Sequence, residues 1–266
     1  MNILDQIIAH KKKEVEDRKA LWPARILEKG ILFERPTYSL KKALLSSDQP
    51  GIIAEFKRQS PSKGVINQLA SVEQVSGGYV RAGVSALSIL TDEKFFGGSN
   101  EDLIVARKFN SCPILRKDFI VDEYQLIEAK SIGADVILLI AAALTPEEIK
   151  KFTGFAHTLG LEVLLEVHNE QEYLNNTQAN VDLIGVNNRD LKTFEVSIET
   201  SKRLSSVIPD VMVKVSESGI DDFRSIKELR KFGYRGFLIG QAFMQEASPE
   251  KACLAFMHEL RKALSA

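Results

Sequence analysis

A chain of 266 residues with 44% hydrophobic and 27% charged side chains is an ordinary globular protein, long enough for one large domain or two small ones. With 35 Lys and Arg against 36 Asp and Glu the net charge is −1, and the cations are spread along the chain, so no nucleic-acid partner is expected. The two cysteines, Cys112 and Cys253, lie far apart and outside any CxxC or His-rich pattern, which argues against structural zinc and against a disulfide framework.

The chain starts with apolar Ile3, Leu4, Ile7 and Ile8 at helical spacing, followed by mixed charge. This predicts a helix from Ile3 to Arg18, not a signal peptide, with Lys11 to Lys13 on its solvated face. No later run approaches the ~18 apolar residues of a membrane span, so no membrane partner is expected and a cytoplasmic location is the default. Strands are predicted at Ile52 to Lys57, Ala86 to Thr91, Pro113 to Lys117, Val136 to Ile140, Glu162 to Val167, Leu183 to Asn187, Val211 to Glu217 and Gly236 to Ile239. Their starts are roughly 20–35 residues apart, the length of a βαβ unit. Helical patterns fill the gaps: Thr145 and Pro146 can start one, and Gly233 ends another. Eight such units with no long polar linker predict a single α/β domain over residues 1–266, a closed (β/α)8 TIM barrel rather than an open doubly wound sheet. About residues 1–50 exceed what a barrel needs and are expected to form an N-terminal helical extension on the barrel or over its mouth.

Chemistry in such barrels sits at the carboxyl ends of the strands. Alternation sends Ile53, Glu55 and Lys57 to one face, so two opposite charges project together from an otherwise apolar strand. Lys117 shares a face with Leu115 and should point inward while Arg116 points out. Glu166 sits amid Leu164, Leu165 and Val167, the sixth strand ends in Asn187, Asn188 and Arg189, and Glu217 has the parity of Val211, Val213 and Val215. A lone Glu-x-Lys is as readily a structural ion pair, but polar groups delivered to one end by five strands point to a site. The turns Ser218-Gly219-Ile220 and Ile239-Gly240-Gln241-Ala242 follow the last two strands, where barrels commonly bind phosphate through backbone N–H groups. The loop Ser60-Pro61-Ser62-Lys63-Gly64 adds hydroxyls and a cation.

In order along the chain, IAEFKRQSPSKG, TDEKFFGGS, LRKDFIVDEYQ, GADVILLIAA, LLEVHNE, IGVNNRDL, ESGI and FLIGQAFM closely resemble the indole-3-glycerol phosphate synthase family of tryptophan biosynthesis. The resemblance covers nearly the whole chain. It implies closure of an indole ring from 1-(2-carboxyphenylamino)-1-deoxyribulose 5-phosphate, with loss of carbon dioxide and water and without cofactor or metal. By the same resemblance Lys117 is the general acid for ring closure, Glu166 and Glu55 are candidates to stabilise the cationic ring nitrogen, and Glu55 with Lys57 serve dehydration. Ser60, Gly219, Gly240 and Gln241 would hold the phosphate, Asn187, Arg189, Glu217 and Ser218 would line the site, and Phe96 would wall the anthranilate ring. The four histidines, His10, His157, His168 and His258, fall outside these roles and are expected at the surface or behind the site. The rivals are another phosphate-binding barrel enzyme of the same pathway, which would not need Glu55, Lys57, Lys117 and Glu166 together, and a non-catalytic phosphosugar-binding barrel. A single sequence carries no mark of oligomeric state.

Overall fold

The computed structural model describes residues 2–46, 50–190 and 193–265. Eight parallel strands close on themselves: β1 (Ile52–Phe56), β2 (Ala86–Leu90), β3 (Ile114–Lys117), β4 (Val136–Ile140), β5 (Glu162–Val167), β6 (Leu183–Asn187), β7 (Val213–Glu217) and β8 (Tyr234–Ile239). Each pairs with its neighbours in sequence, and β1 pairs with β8 through Ile52 opposite Phe237. The architecture is a (β/α)8 barrel with an N-terminal helical extension.

Strand parity divides the apolar residues into two cores. Ile53, Leu115, Leu138, Leu164, Val215 and Leu238 fill the barrel interior, while Ile52, Ala54, Leu87, Ile137 and Leu165 face the surrounding helices. These are the two faces of each pleated strand. Helix starts follow the local sequence, as where Thr145 accepts from Glu148 N and the Glu148 carboxylate accepts from Thr145 N ahead of the helix Pro146–Thr158.

Strand ends depart slightly from expectation. β1 stops at Phe56, leaving Lys57 just beyond it. β7 begins at Val213, and Val211 is 83% exposed, because Met212 N closes a turn onto Pro209 O and holds Val211 outside the ladder. β8 begins earlier than expected, at Tyr234, with a register shift between Tyr234 and Gly236 that the Gly236 pattern alone does not announce. The Ser60 loop is a small antiparallel ladder, Gln59–Ser60 against Gly64–Val65.

The extension reaches both ends of the barrel. Helix α1 (Ile3–Leu21) begins at a capping box of Asn2 and Asp5, and its Ile3, Leu4 and Ile7 line the cavity at the mouth. A short α2 (Ala24–Leu27) packs against the helix Tyr124–Ser131. The chain then descends, with Tyr38 N donating to Asp135 Oδ1, to α3 (Leu40–Leu45). There Leu40 and Leu44 join the barrel-interior core from below. Glu162, at the bottom of β5, accepts from Ser39 Oγ and from Lys41 N, so a carboxylate meets the N-terminus of α3. One expectation fails here: Lys12 and Lys13 are exposed, but Lys11 is buried, because three acids surround it, two of them distant in sequence.

Candidate functional site

The inward parity of β1, β3, β5, β6 and β7 brings Glu55, Lys117, Glu166, Asn187 and Glu217 together above the apolar layers of the barrel. Lys117 Nζ lies 2.9 Å from Glu166 Oε2 and 3.2 Å from Glu217 Oε2. Lys57 Nζ donates to Glu55 Oε1 at 2.7 Å. Asn187 Nδ2 donates to the other oxygen of Glu166, Oε1, at 3.2 Å, and His168 Nε2 stands 3.3 Å from that same atom. His168 Nδ1 lies 3.2 Å from Glu172 Oε2, so the imidazole bridges two carboxylates behind the site.

Burial opposes the charges of Lys117, Glu166 and Glu217, and the neighbours decide the outcome. For Lys117, burial lowers the pKa, but Glu166, Glu217 and Glu55 more than reverse this and hold the group as an ammonium. Glu166 is likewise pushed up by burial and pulled well below the usual carboxylate range by Lys117 and His168. Glu217 goes the other way. Burial dominates, Glu166 and Glu55 add like-charge repulsion, and Lys117 offsets only part, so its pKa is raised to about 7. Among the described residues Glu217 Oε1 has no hydrogen-bond partner.

Two glycines make room for the carboxylates. A Cβ on Gly185, which faces inward on β6, would stand 2.2 Å from Glu217 Oε1, and one on Gly240 would stand 2.7 Å from Glu55 Oε1. Gly185 was not picked out from the sequence, although a glycine inside a strand signals such a close approach. His168, expected at the surface or behind the site, lies behind it, with the parity of Glu166 two residues earlier.

All thirteen sequence-derived positions border one cavity of about 490 Å³: Glu55, Lys57, Ser60, Phe96, Lys117, Glu166, Asn187, Arg189, Glu217, Ser218, Gly219, Gly240 and Gln241. The ionic cluster occupies its floor. One wall is apolar, with Ile3, Leu4 and Ile7 of α1 near the pair Phe96 and Phe119, whose ring centroids are 5.8 Å apart. Phe119 was not singled out from the sequence. The turns after β7 and β8 and the Ser60 loop border the same cavity and suit an anion. Ser218 and Gly219 take successive left-handed conformations, φ 67° and 71°. For a serine this costs about 1–2 kcal/mol. Asn188 braces the turn, donating to Ser218 O at 3.0 Å and to Ser216 Oγ at 3.0 Å, while Ser201 Oγ donates to Asn188 Oδ1 at 2.8 Å. Arg189 N donates to Asn187 Oδ1 at 3.0 Å and Arg189 Nη1 to Phe194 O at 3.3 Å, which orients the start of the sixth loop. Among the described residues no group of three or more His, Cys, Asp and Glu is arranged to hold a metal ion, and no helix is long and apolar enough to cross a membrane.

Comparison with known proteins is consistent across nearly the whole chain. A family model described as indole-3-glycerol phosphate synthase matches residues 4–256. An indole-3-glycerol phosphate synthase of Bacteroides thetaiotaomicron is 50% identical over 262 residues, covering 98% of this chain and 99% of the relative. One from Nautilia profundicola is 42% identical, covering 95% of this chain and 97% of its own. Two solved structures at low identity show a likeness of fold alone. The N-acetylmannosamine-6-phosphate 2-epimerase of Clostridium perfringens superposes with a TM-score of 0.60 at 12% identity, over 86% of this chain and 96% of that one. A mandelate oxidase variant superposes with a TM-score of 0.63 at 15% identity, over 81% and 74%.

Proposed function

The chain belongs to the indole-3-glycerol phosphate synthase family of decarboxylating lyases, and from that premise we propose that Lys117 is the acid that drives ring closure, with Glu166 and Glu217 holding it in place. The observation that carries this reading is the Lys117 ammonium set between two buried carboxylates on the floor of a cavity whose far rim suits a phosphate.

The family's reaction joins the anthranilate carbon that bears the carboxylate to the ribulose ketone carbon. As that bond forms, the ketone oxygen becomes an alkoxide. Lys117, kept protonated by its neighbours, donates a proton to it. The aniline nitrogen becomes cationic in the same step, and Glu166, held ionised by Lys117 and His168, stabilises that charge. Breaking the bond to the carboxylate releases carbon dioxide, and its electron pair restores the ring. Dehydration then removes a proton from the carbon beside the nitrogen and expels the new hydroxyl as water. Glu55 and Lys57, paired at 2.7 Å, supply a base and an acid for this step. Glu217, whose carboxyl burial pushes above the usual range so that it holds a proton more readily, stands close enough to return one to Lys117.

The remaining residues hold the two substrate ends so that the carbons meet. Ser60, Gly219, Gly240 and Gln241 take the phosphate, Asn187, Arg189 and Ser218 take hydroxyls or orient the charges, and Phe96 with Phe119 and the α1 side chains encloses the anthranilate ring. Free Cys112 and Cys253 suit a cytoplasmic enzyme.

The test is indole fluorescence on mixing the protein with 1-(2-carboxyphenylamino)-1-deoxyribulose 5-phosphate in the presence of chelator. Wild type should form the indole product and Lys117→Met should not, while calorimetry still detects binding of the phosphorylated substrate by the variant. Full turnover in Lys117→Met removes Lys117 from the role of acid. Binding without turnover in the wild type leaves a phosphosugar-binding barrel.

A further inference from the structure

Lys11 occupies surroundings unlike those of a lysine on a helix surface. It is 1% exposed, and its Nζ lies 2.9 Å from Asp92 Oδ2, 2.9 Å from Asp118 Oδ1 and 3.1 Å from Glu14 Oε2. From Asp118 the contacts continue: to Arg116 at 3.3 Å, from Arg116 to Glu128 at 2.5 Å, from Glu128 to Arg18 at 3.0 Å and from Arg18 back to Glu14 at 3.0 Å. Six side chains thus close a ring of alternating sign, Lys11, Asp118, Arg116, Glu128, Arg18 and Glu14.

The membership of the ring gives it meaning. Lys11, Glu14 and Arg18 share one face of α1 at helical spacing. Arg116 and Asp118 are the sequence neighbours of Lys117 on either side, turned outward because Lys117 turns in. Glu128 comes from the helix that follows β3. Asp118 is also fixed by Thr91 Oγ1, which donates to its Oδ2 at 2.6 Å, and by Phe119 N, which donates to its Oδ1 at 2.8 Å. Asp92, hanging from Lys11, caps the short helix that carries Phe96 by accepting from Phe95 N at 2.8 Å. One ammonium therefore ties α1 to the two strand ends that carry Lys117 and Phe96.

Such burial is tolerated only where every charge is met. Burial lowers the Lys11 pKa, but Asp118, Asp92 and Glu14 more than reverse that. Asp118, pushed up by burial, is drawn down to about 2 by Lys11 and Arg116. Lys11 and Asp118 therefore stay charged across the neutral range. A stabilising core could be built more cheaply from apolar side chains of similar volume, which makes a directional role the better account of it.

We propose that Lys11 is a positioning residue for the reaction: through the ionic ring it fixes the carboxyl end of β3 so that Lys117 meets the substrate ketone. The inference rests on the assignment of Lys117 as the acid. Its readout is kcat, since a displaced Lys117 costs transition-state stabilisation while the phosphate turns and the Ser60 loop still bind substrate.

The experiment compares wild type with Lys11→Met, Asp118→Asn, their double variant and Arg18→Gln, each assayed well below its own Tm. Lys11→Met is expected to lower kcat by about 10–100-fold with KM changed by less than about threefold. In its background Asp118→Asn should add little, because both act through one connection. Arg18→Gln opens the ring at a partly exposed vertex, and keeps the test available should Lys11→Met fail to fold; a loss of kcat by about 3–10-fold is expected there. A lowered Tm with wild-type kcat in the folded variants overturns the proposal, as does a rise confined to KM. Lys117→Met, run in parallel, separates the two readings. If it retains turnover, the assignment of the acid has failed; if it is inactive while Lys11→Met and Arg18→Gln keep wild-type kcat, only the role of the ring has failed.

Discussion

Gly185→Ala adds one methyl group at the most crowded point of the proposed site. The new Cβ would lie 2.2 Å from Glu217 Oε1 and 3.4 Å from Leu164 Cδ1. Ordinary carbon contacts begin near 3.5 Å, so the Glu217 carboxylate must retreat by about 1 Å. Its contact with Lys117 is already 3.2 Å, and a shift of that size away from it ends the interaction. A misplacement of about 1 Å in a catalytic constellation costs about 100-fold in rate, or about 2.7 kcal/mol of transition-state stabilisation. Overpacking adds about 1–3 kcal/mol of lost stability. The assay is indole formation followed by fluorescence, with kcat and KM resolved, beside a thermal melt. Gly154→Ala is the matched control, because nothing lies within 4 Å of the Cβ it would add on the helix Pro146–Thr158. That variant should keep wild-type kcat and gain about 0.5–1 kcal/mol. Wild-type kcat in a normally folded Gly185→Ala would refute the reasoning, since it would mean that Glu217 moves freely without consequence.

Two other perturbations test different parts of the cluster. Lys57→Ala removes a side chain 18% exposed at the cavity floor, and should reduce kcat by more than about 100-fold while lowering Tm by only a few degrees; a large fall in Tm with a small change in rate would make the Glu55–Lys57 contact a structural ion pair instead. His168→Gln probes the imidazole between Glu166 and Glu172. Burial lowers the His168 pKa, and the carboxylates of Glu166 and Glu172 more than reverse this, to a net value of about 10 against 6.5 when unfolded. The stability it supplies is therefore complete below pH 6.5 and is lost as pH rises through about 10. Denaturant unfolding across that window should find the gap between wild type and variant shrinking, and a gap that stays constant contradicts a charged bridge.

The barrel was legible because its signal is repeated and local. Each strand carries its own alternation, so Ile53, Leu115 and Val215 could be sent inward and Ile52 and Leu87 outward without knowing any partner. The same parity brought Glu55, Lys117, Glu166 and Glu217 to one end. What local pattern could not supply was anything decided by distant partners. Lys11 belongs to a run of three lysines and has the helical setting of a solvated residue; only Asp92 and Asp118, from two later strand ends, make it a buried one. Phe119 gains its role by meeting Phe96 across a gap that neither segment announces. Strand starts failed where a neighbouring turn intervened, as at Pro209 to Met212, or where a register shift did, as at Tyr234.

The stopper formed by α3 has a bearing on the order in which the molecule can be completed. Leu44 belongs to the start of the chain, yet the groove that receives it is made by Gly236 of β8, where a Cβ would come within 2.9 Å of the leucine. Leu40 and Leu44 therefore have no finished seat until β8 has closed the barrel against β1. During synthesis these side chains emerge first and are satisfied last, a pairing of high sequence separation that nucleates slowly. Until then the apolar side chains of Leu40 and Leu44 are open to wrong partners, and release of the chain before β8 is made leaves them so.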